Sequence, residues 1–258
     1  MSRFTLTRWI PGACALGLGV ALAASLTLDR PAHADGSEFT AAQRAQIVSI
    51  VRDALKSDPS ILADAITSLR AQQEGNAQTK ALAYVRANQL AVQSADAQYI
   101  RGNPAGRVTV VEYLDPRCPY CRRMEPIVND LLARDHDVRF VQKLIPILGQ
   151  DSVLETQAIM AAARQGGAEH LRAALMTDTQ HPTIERVHEL ARAQGLDTAR
   201  LDADMKSPDV VKTIETNMAQ AQGIGLDGTP TFVFGTAGIA PGALSRDDME
   251  AEIAHART

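Results

Sequence analysis

The stretch Val108-Thr109-Val110-Val111-Glu112-Tyr113-Leu114-Asp115-Pro116-Arg117-Cys118-Pro119-Tyr120-Cys121 decides how this chain folds and where its chemistry lies. The first seven residues are mostly β-branched or large and apolar, the composition of a buried strand. Asp115-Pro116-Arg117 is a tight turn. Pro119 to about Arg134 then has the character of a helix, with proline in the first turn, where its missing N–H costs nothing. Cys118 therefore sits at a strand-to-helix junction. Its sulfur faces unpaired backbone N–H groups and the positive end of the helix dipole, and both favour the thiolate. The i, i+3 spacing sets Cys121 one turn on, close enough to close a disulfide. Cys118 is thus the expected nucleophile of thiol–disulfide exchange and Cys121 the resolving thiol. Arg117, Arg122 and Arg123 are expected to add positive potential.

Outward from this stretch, Val138 to Ile145 predicts a second strand and Thr231 to Phe234 a short third one. Asp247 to Ala254 predicts a closing helix. Between them, about 150–222 predicts short helices broken at Gly166-Gly167, His181-Pro182, Gly195 and Ser207-Pro208. The order describes an α/β unit over 98–258 with a helical insertion. Residues 35–97 are expected to be helical. Thr40 caps a helix to about Lys56, and Asp58-Pro59 starts another with Ile61, Leu62, Ile66 and Leu69 on its stripe. Polar Ala71 to Lys80, with Gly75, leaves that helix exposed or broken. The stripes have too little bulk for a separate core and call for a partner, expected to be the same region of another subunit.

Residues 1–34 have the pattern of a cleaved secretory signal: Arg3 and Arg8, an apolar run Ile10 to Leu28, and Ala32-His33-Ala34. The expected location is periplasmic. Arg3, Arg8, Asp29 and Arg30 leave with it, taking the net charge from −4 to about −6. An acidic chain carries no electrostatic footprint for nucleic acid. Cys14 leaves too, so the two remaining cysteines form one C-x-x-C. A staple across so short a loop would constrain the unfolded chain little, which points to chemistry. Without a second C-x-x-C or an H-x-x-x-H, half of a zinc site lacks its other half, and no metal or cofactor is expected.

Two further features bear on the pair. Glu112, six residues before Cys118, can relay the proton of Cys121 if it faces the thiols; alternation within the strand leaves its face open. Thr229-Pro230 precedes a strand that Pro cannot enter, so a special turn, compatible with a cis bond, is expected. It would leave the Thr229 backbone free to pair with an extended substrate chain. Pro119, Tyr120, Thr229 and Pro230 form the expected substrate-contacting set. Gly223-x-Gly225-x-x-Gly228 matches a dinucleotide fingerprint only as a string, because it precedes a strand instead of joining strand to helix.

Val110 to Cys121 resembles the active-site segment of DsbA-like thioredoxin-fold proteins, and Gly228-Thr229-Pro230-Thr231-Phe232 resembles their cis-proline loop. The resemblance implies a thioredoxin fold with a helical insertion, Cys118 as nucleophile, Cys121 as resolving thiol, Glu112 as buried acid and Pro230 as cis-proline. Phe39-Thr40-x-x-Gln43-Arg44 and Asp58-Pro59-x-Ile61-Leu62 are similar to the helical extension of ScsC-type members, which implies oligomerisation. Strongly oxidising DsbA members carry His where this chain has Tyr120, and a less stabilised thiolate makes a weaker oxidant. The expectation is therefore a disulfide isomerase or reductase, with a DsbA-type oxidase and a copper-binding protein as alternatives. The implied partners are thiol- or disulfide-bearing proteins and a membrane redox partner.

Overall fold

In the computed structural model, which describes residues 39–258, the first element is α1, Ala41–Ser57. The signal-peptide reading at 1–34, with Cys14, lies outside the described residues. Thr40 and Gln43 form a reciprocal capping box: the Gln43 N–H donates to Thr40 Oγ1 at 3.3 Å and the Thr40 N–H to Gln43 Oε1 at 2.9 Å. No residue of α1 is buried. Ile47, Val48, Ile50, Val51 and Leu55 stand 38–60% exposed. The described chain divides into two compact units at Ile61/Leu62, and α1 lies in the first.

The second unit opens within α2, Ser60–Ala87, and continues through α3, Gln89–Gln93, and a 3₁₀ turn at Ala97–Tyr99. Then follow β1 (Ile100–Gly102), β2 (Val108–Leu114), α4 (Pro119–Arg134) and β3 (Val138–Leu144). The insertion comprises α5 (Gln150–Ala163), α6 (Ala168–Thr177), α7 (Ile184–Ala193), α8 (Thr198–Met205) and α9 (Pro208–Ile224). β4 (Thr231–Phe234), β5 (Gly238–Pro241) and α10 (Arg246–Ala256) close the chain. The strand order is β1-β3-β2-β4-β5, with β2 and β3 parallel and the other neighbours antiparallel. This is the expected α/β architecture: a thioredoxin fold with a helical insertion behind an all-helical N-terminal region.

β2 runs through the middle and is buried on both faces, as its near-continuous apolar composition requires. On one face Val110, Phe140, Phe232 and Phe234 pack with Met124 and Val128 of α4 and Met249 and Ile253 of α10. On the other, Val111, Tyr113 and Val141 pack with Ala81 and Val85 of α2 and Ala221 of α9. The insertion has its own core around Ile159, Leu171, Val187 and Leu201.

Of the two outcomes expected for Ala71 to Lys80, exposed or broken, the structure shows the first: the segment is exposed and α2 is unbroken through Gly75. Two features depart from the sequence reading. The expected boundary at 97/98 falls inside the second unit, because Ala81, Val85 and Val92 bury against the sheet. Periodicity shows that a helix has an apolar stripe and not what the stripe packs on. The edge strands β1 and β5 have no alternating pattern of their own, and pairing with β3 and β4 makes them strands.

Gly106 lies where the approach to β2 crosses the start of β3. A Cβ there would stand 2.6–2.7 Å from the backbone of Asp137, Val138 and Arg139. Gly106→Ala is therefore expected to destabilise the protein by about 1–3 kcal/mol through overpacking, read as a lower midpoint in urea.

Candidate active site

The site begins at the C-terminal end of β2. Cys118 is the N-cap of α4 and Pro119 its first residue. The turn between is held by Asp115, which is fully buried. Its carbonyl accepts the Cys118 N–H at 3.0 Å, and its Oδ1 accepts the Arg117 N–H at 2.8 Å. Its Oδ2 accepts the N–H groups of Ile147 and Leu148 at 2.8 and 3.0 Å. One carboxylate thus ties the cysteine turn to the loop after β3. The sequence reading placed Asp115 only in a turn; an Asp ahead of Pro was the available signal.

Both cysteines are free thiols. Cys118 is 4% exposed and Cys121 fully buried. The Cys118 thiol is lowered from 9.0 to about 5. The main cause is a hydrogen bond from the Cys121 thiol, opposed by burial and helped by the Thr229 side chain and the N–H groups of Cys121 and Tyr120. The same hydrogen bond between the two sulfurs pushes the Cys121 thiol up, with burial and the charge of Glu112 adding to it. Cys118 Sγ also lies 3.1 Å from the Thr229 carbonyl oxygen. The Thr229-Pro230 bond is cis, as expected.

Glu112 faces the α4 side and is 1% exposed. Its Oε2 accepts from Gln142 Nε2 at 3.1 Å, the residue beside it in the β2–β3 register, and its Oε1 has no partner among the described residues. Burial, then the charge of Glu125, raises its carboxyl from 4.5 to about 7; the Gln142 bond, Arg172 and Arg101 oppose this. An acid poised there can exchange a proton with a neighbouring thiol near neutral pH.

The three arginines are engaged elsewhere than on the thiolate. Arg117 Nη1 pairs with buried Glu155 at 3.3 Å. Arg122 donates to the carbonyls of Pro116 and Asp178 at 3.0 and 2.8 Å. Arg123 stacks over the Tyr120 ring at 4.3 Å, and that ring is 52% exposed. Pro119 is exposed beside it. The expected arginine potential is thus replaced by donors fixed in the backbone, Cys121 and Thr229.

The insertion supplies residues that no local motif announced. Glu155 of α5 holds Arg117. Arg172 of α6, with a side chain 2% exposed, forks onto Glu125 at 2.6 and 3.1 Å and donates to Met176 Sδ at 3.1 Å. Met176 packs with Leu114, Cys118 and Cys121. Among the described residues no group of three or more His, Cys, Asp and Glu side chains gathers as a metal site. Gly225 ends α9 in a left-handed conformation, the helix C-cap role glycine suits, so the glycine string serves a turn.

Two predictions follow from this geometry. Titration of thiolate absorbance should show a midpoint near pH 5 for Cys118, and Thr229→Val, which removes the side-chain donor, should raise it; an unchanged midpoint would show that this donor does not hold the thiolate. Glu112 is raised above its ordinary value, so its contribution to stability is complete below pH 4.5 and lost as pH rises through about 7. Glu112→Gln should be near neutral at pH 4 and stabilising at pH 8 by up to about 3 kcal/mol in urea unfolding. Glu155, raised to about 7 by burial, keeps its own slope in both proteins.

A family model described as thioredoxin matches residues 94–253, and that of the copper resistance protein ScsC N-terminal domain matches 43–75. The structure of a thioredoxin-like oxidoreductase from Silicibacter pomeroyi DSS-3 is 38% identical at a TM-score of 0.63, covering 66% of this chain and 98% of that one. Proteus mirabilis ScsC in a transitional conformation is 25% identical at a TM-score of 0.61, covering 84% and 96%. The thiol:disulfide interchange protein DsbA of Bordetella pertussis is 27% identical over 149 residues, 54% of this chain and 71% of that protein. The chain is also 34% identical over 140 residues, 53% of its length, to the Na(+)/H(+) antiporter NhaA of Herminiimonas arsenicoxydans, of which it spans only 22%. With the fold, the paired cysteines and the cis-proline loop in place, the chain belongs to the thioredoxin family.

Proposed function

We propose that this protein shuffles or reduces disulfides in extracytoplasmic protein substrates. The observation that supports disulfide exchange at this pair is the asymmetry of the two thiols. Cys118 is held down to about 5 beside the surface, and Cys121 is fully buried and pushed up. The Cys118 thiolate attacks a substrate disulfide, forming a mixed disulfide and releasing the second substrate sulfur as a thiolate. In shuffling, that thiolate attacks another disulfide of the substrate, and the substrate thiolate this releases attacks the mixed disulfide at its substrate sulfur, forming a new substrate disulfide and expelling the Cys118 thiolate. In reduction, Cys121 gives its proton to Glu112 and attacks Cys118 Sγ, leaving the enzyme oxidised and the substrate reduced. A membrane partner then reduces the pair. Pro119, Tyr120, Thr229 and Pro230 frame the substrate chain. The charged n-region, apolar run and Ala-x-Ala of residues 1–34 support secretion to the periplasm.

The lean to isomerase rests on Tyr120, whose uncharged ring turns to Arg123, and on the exposed apolar face of α1, which suits a second copy of the chain. An oxidase is the second reading, favoured by the lowered Cys118 thiol, since a stable thiolate makes the disulfide a stronger oxidant. Copper binding has less support. Met176 joins the two cysteines as a third soft group, but its sulfur already accepts from Arg172.

The test is reactivation of scrambled, fully oxidised ribonuclease in a glutathione buffer. Rapid recovery is expected, lost in Cys118→Ser, with mixed disulfides accumulating in Cys121→Ser. No recovery alongside fast oxidation of reduced substrate would make the protein an oxidase.

A further inference from the structure

The pairing of β1 with β3 stops at Ile100 and Val141, and the chain before it turns away through the 3₁₀ turn at Ala97–Tyr99. Beyond that point the outer edge of β3, at Gln142, Lys143 and Leu144, has no neighbouring strand among the described residues. A cavity of about 410 Å³ opens there, between α3 with its following loop, β3 and α9, within the second unit. That volume suits a small molecule. Neither cysteine lines it.

Lys143 is the group in this cavity that the chemistry of the thiols does not use. It is 5% exposed. Its ammonium donates to the Ser94 carbonyl at 2.6 Å and the Ala91 carbonyl at 3.3 Å. Among the described residues the third N–H has no acceptor, and no carboxylate pairs with the charge. Asp96, also on the wall, favours the ammonium by its charge without bonding to it. A buried cation without a counter-ion is costly. Lys212 of α9 adds a second ammonium at the exposed rim. With Lys143, Lys212 and Asp96 as its charged lining residues, the wall carries one net positive charge.

The rest of the wall is preset. Gln220 Nε2 donates to the Ala91 carbonyl at 3.0 Å, and Gln220 Oε1 accepts from the Tyr113 hydroxyl at 3.2 Å. Asn217 Nδ2 donates to the Leu144 carbonyl at 3.1 Å. These amides are occupied by the fold, which leaves the Lys143 donor for a ligand. Ala91, Ala95, Leu144 and Met160 supply apolar surface.

We infer that this cavity binds a small organic monocarboxylate, with its carboxylate on Lys143 and Lys212 and its apolar body against Leu144 and Met160. The ligand supplies the counter-charge that the fold leaves out, and its single charge matches the wall. The site is separate from disulfide exchange and does not depend on that reading.

The experiment is calorimetric titration of the full chain with 4-methylpentanoate and with 4-methylpentanamide, its uncharged counterpart of the same shape. The acid is expected to bind about tenfold more tightly than the amide, the worth of a hydrogen bond to a charged group. Burial lowers the Lys143 amine from 10.5 to about 8, and a bound carboxylate favours its charged form. Binding of the acid at pH 8 should therefore take up protons, read as a heat that changes with the ionisation enthalpy of the buffer. Lys143→Met should abolish the preference for the acid. Lys212→Met, a surface change that leaves the fold intact, should weaken the acid about threefold. Both variants should exchange disulfides at the unmodified rate. Absence of binding at millimolar acid, equal binding of acid and amide, or binding at pH 8 without proton uptake would overturn the assignment. So would affinity for the acid unchanged in Lys212→Met, a result that stands even if Lys143→Met fails to fold.

Discussion

A carboxyl group in the middle of the central strand constrains the rest of this molecule. β2 is buried on both faces, and its other side chains contribute to packing, yet Glu112 sits among them almost without solvent. A buried carboxylate is costly unless it is bonded, neutralised or used. Here one oxygen accepts a single bond from Gln142 and the other has no partner among the described residues. The result is a group that binds a proton near neutrality, its charge felt by the buried Cys121 thiol. Such an arrangement trades stability for chemistry, and perturbed groups of this kind gather at functional sites.

The insertion is part of the site as well as a cover for it. Its helices bring Glu155 to Arg117, Arg172 to Glu125 and Met176 to the cysteine pair. Arg172 sits almost fully buried and spends its donors on two carboxylates and a sulfur, a satisfied network. It fixes α4 one turn beyond Cys121 and places a cation where it opposes the upward shift of Glu112. Helical inserts of other shape on the same sheet would therefore change the proton chemistry of the pair without touching either cysteine.

Asp115 performs the complementary task at the surface. It joins the cysteine turn to the loop after β3, so Cys118 and that loop are parts of one bonded structure. The thiolate is held by donors that are in place before any substrate arrives, which is the condition for stabilising charge without reorganisation.

The sequence by itself determined the local arrangement: a strand delivering Cys118 to a helix start, a second thiol one turn later, a proline-specified turn at Thr229-Pro230 and a capped α1. Each depends on residues within a few positions of one another, where covalent spacing and backbone preference are decisive. Only the tertiary structure decided which way Glu112 faces, that Arg117, Arg122 and Arg123 are drawn off to Glu155, backbone carbonyls and Tyr120, and that Arg172 and Met176 stand beside the pair. It also decided that the second half of α2 packs on the sheet and that β1 and β5 are strands. These depend on contacts between residues tens of positions apart, and such contacts are chosen by packing of the whole core, which no local pattern encodes.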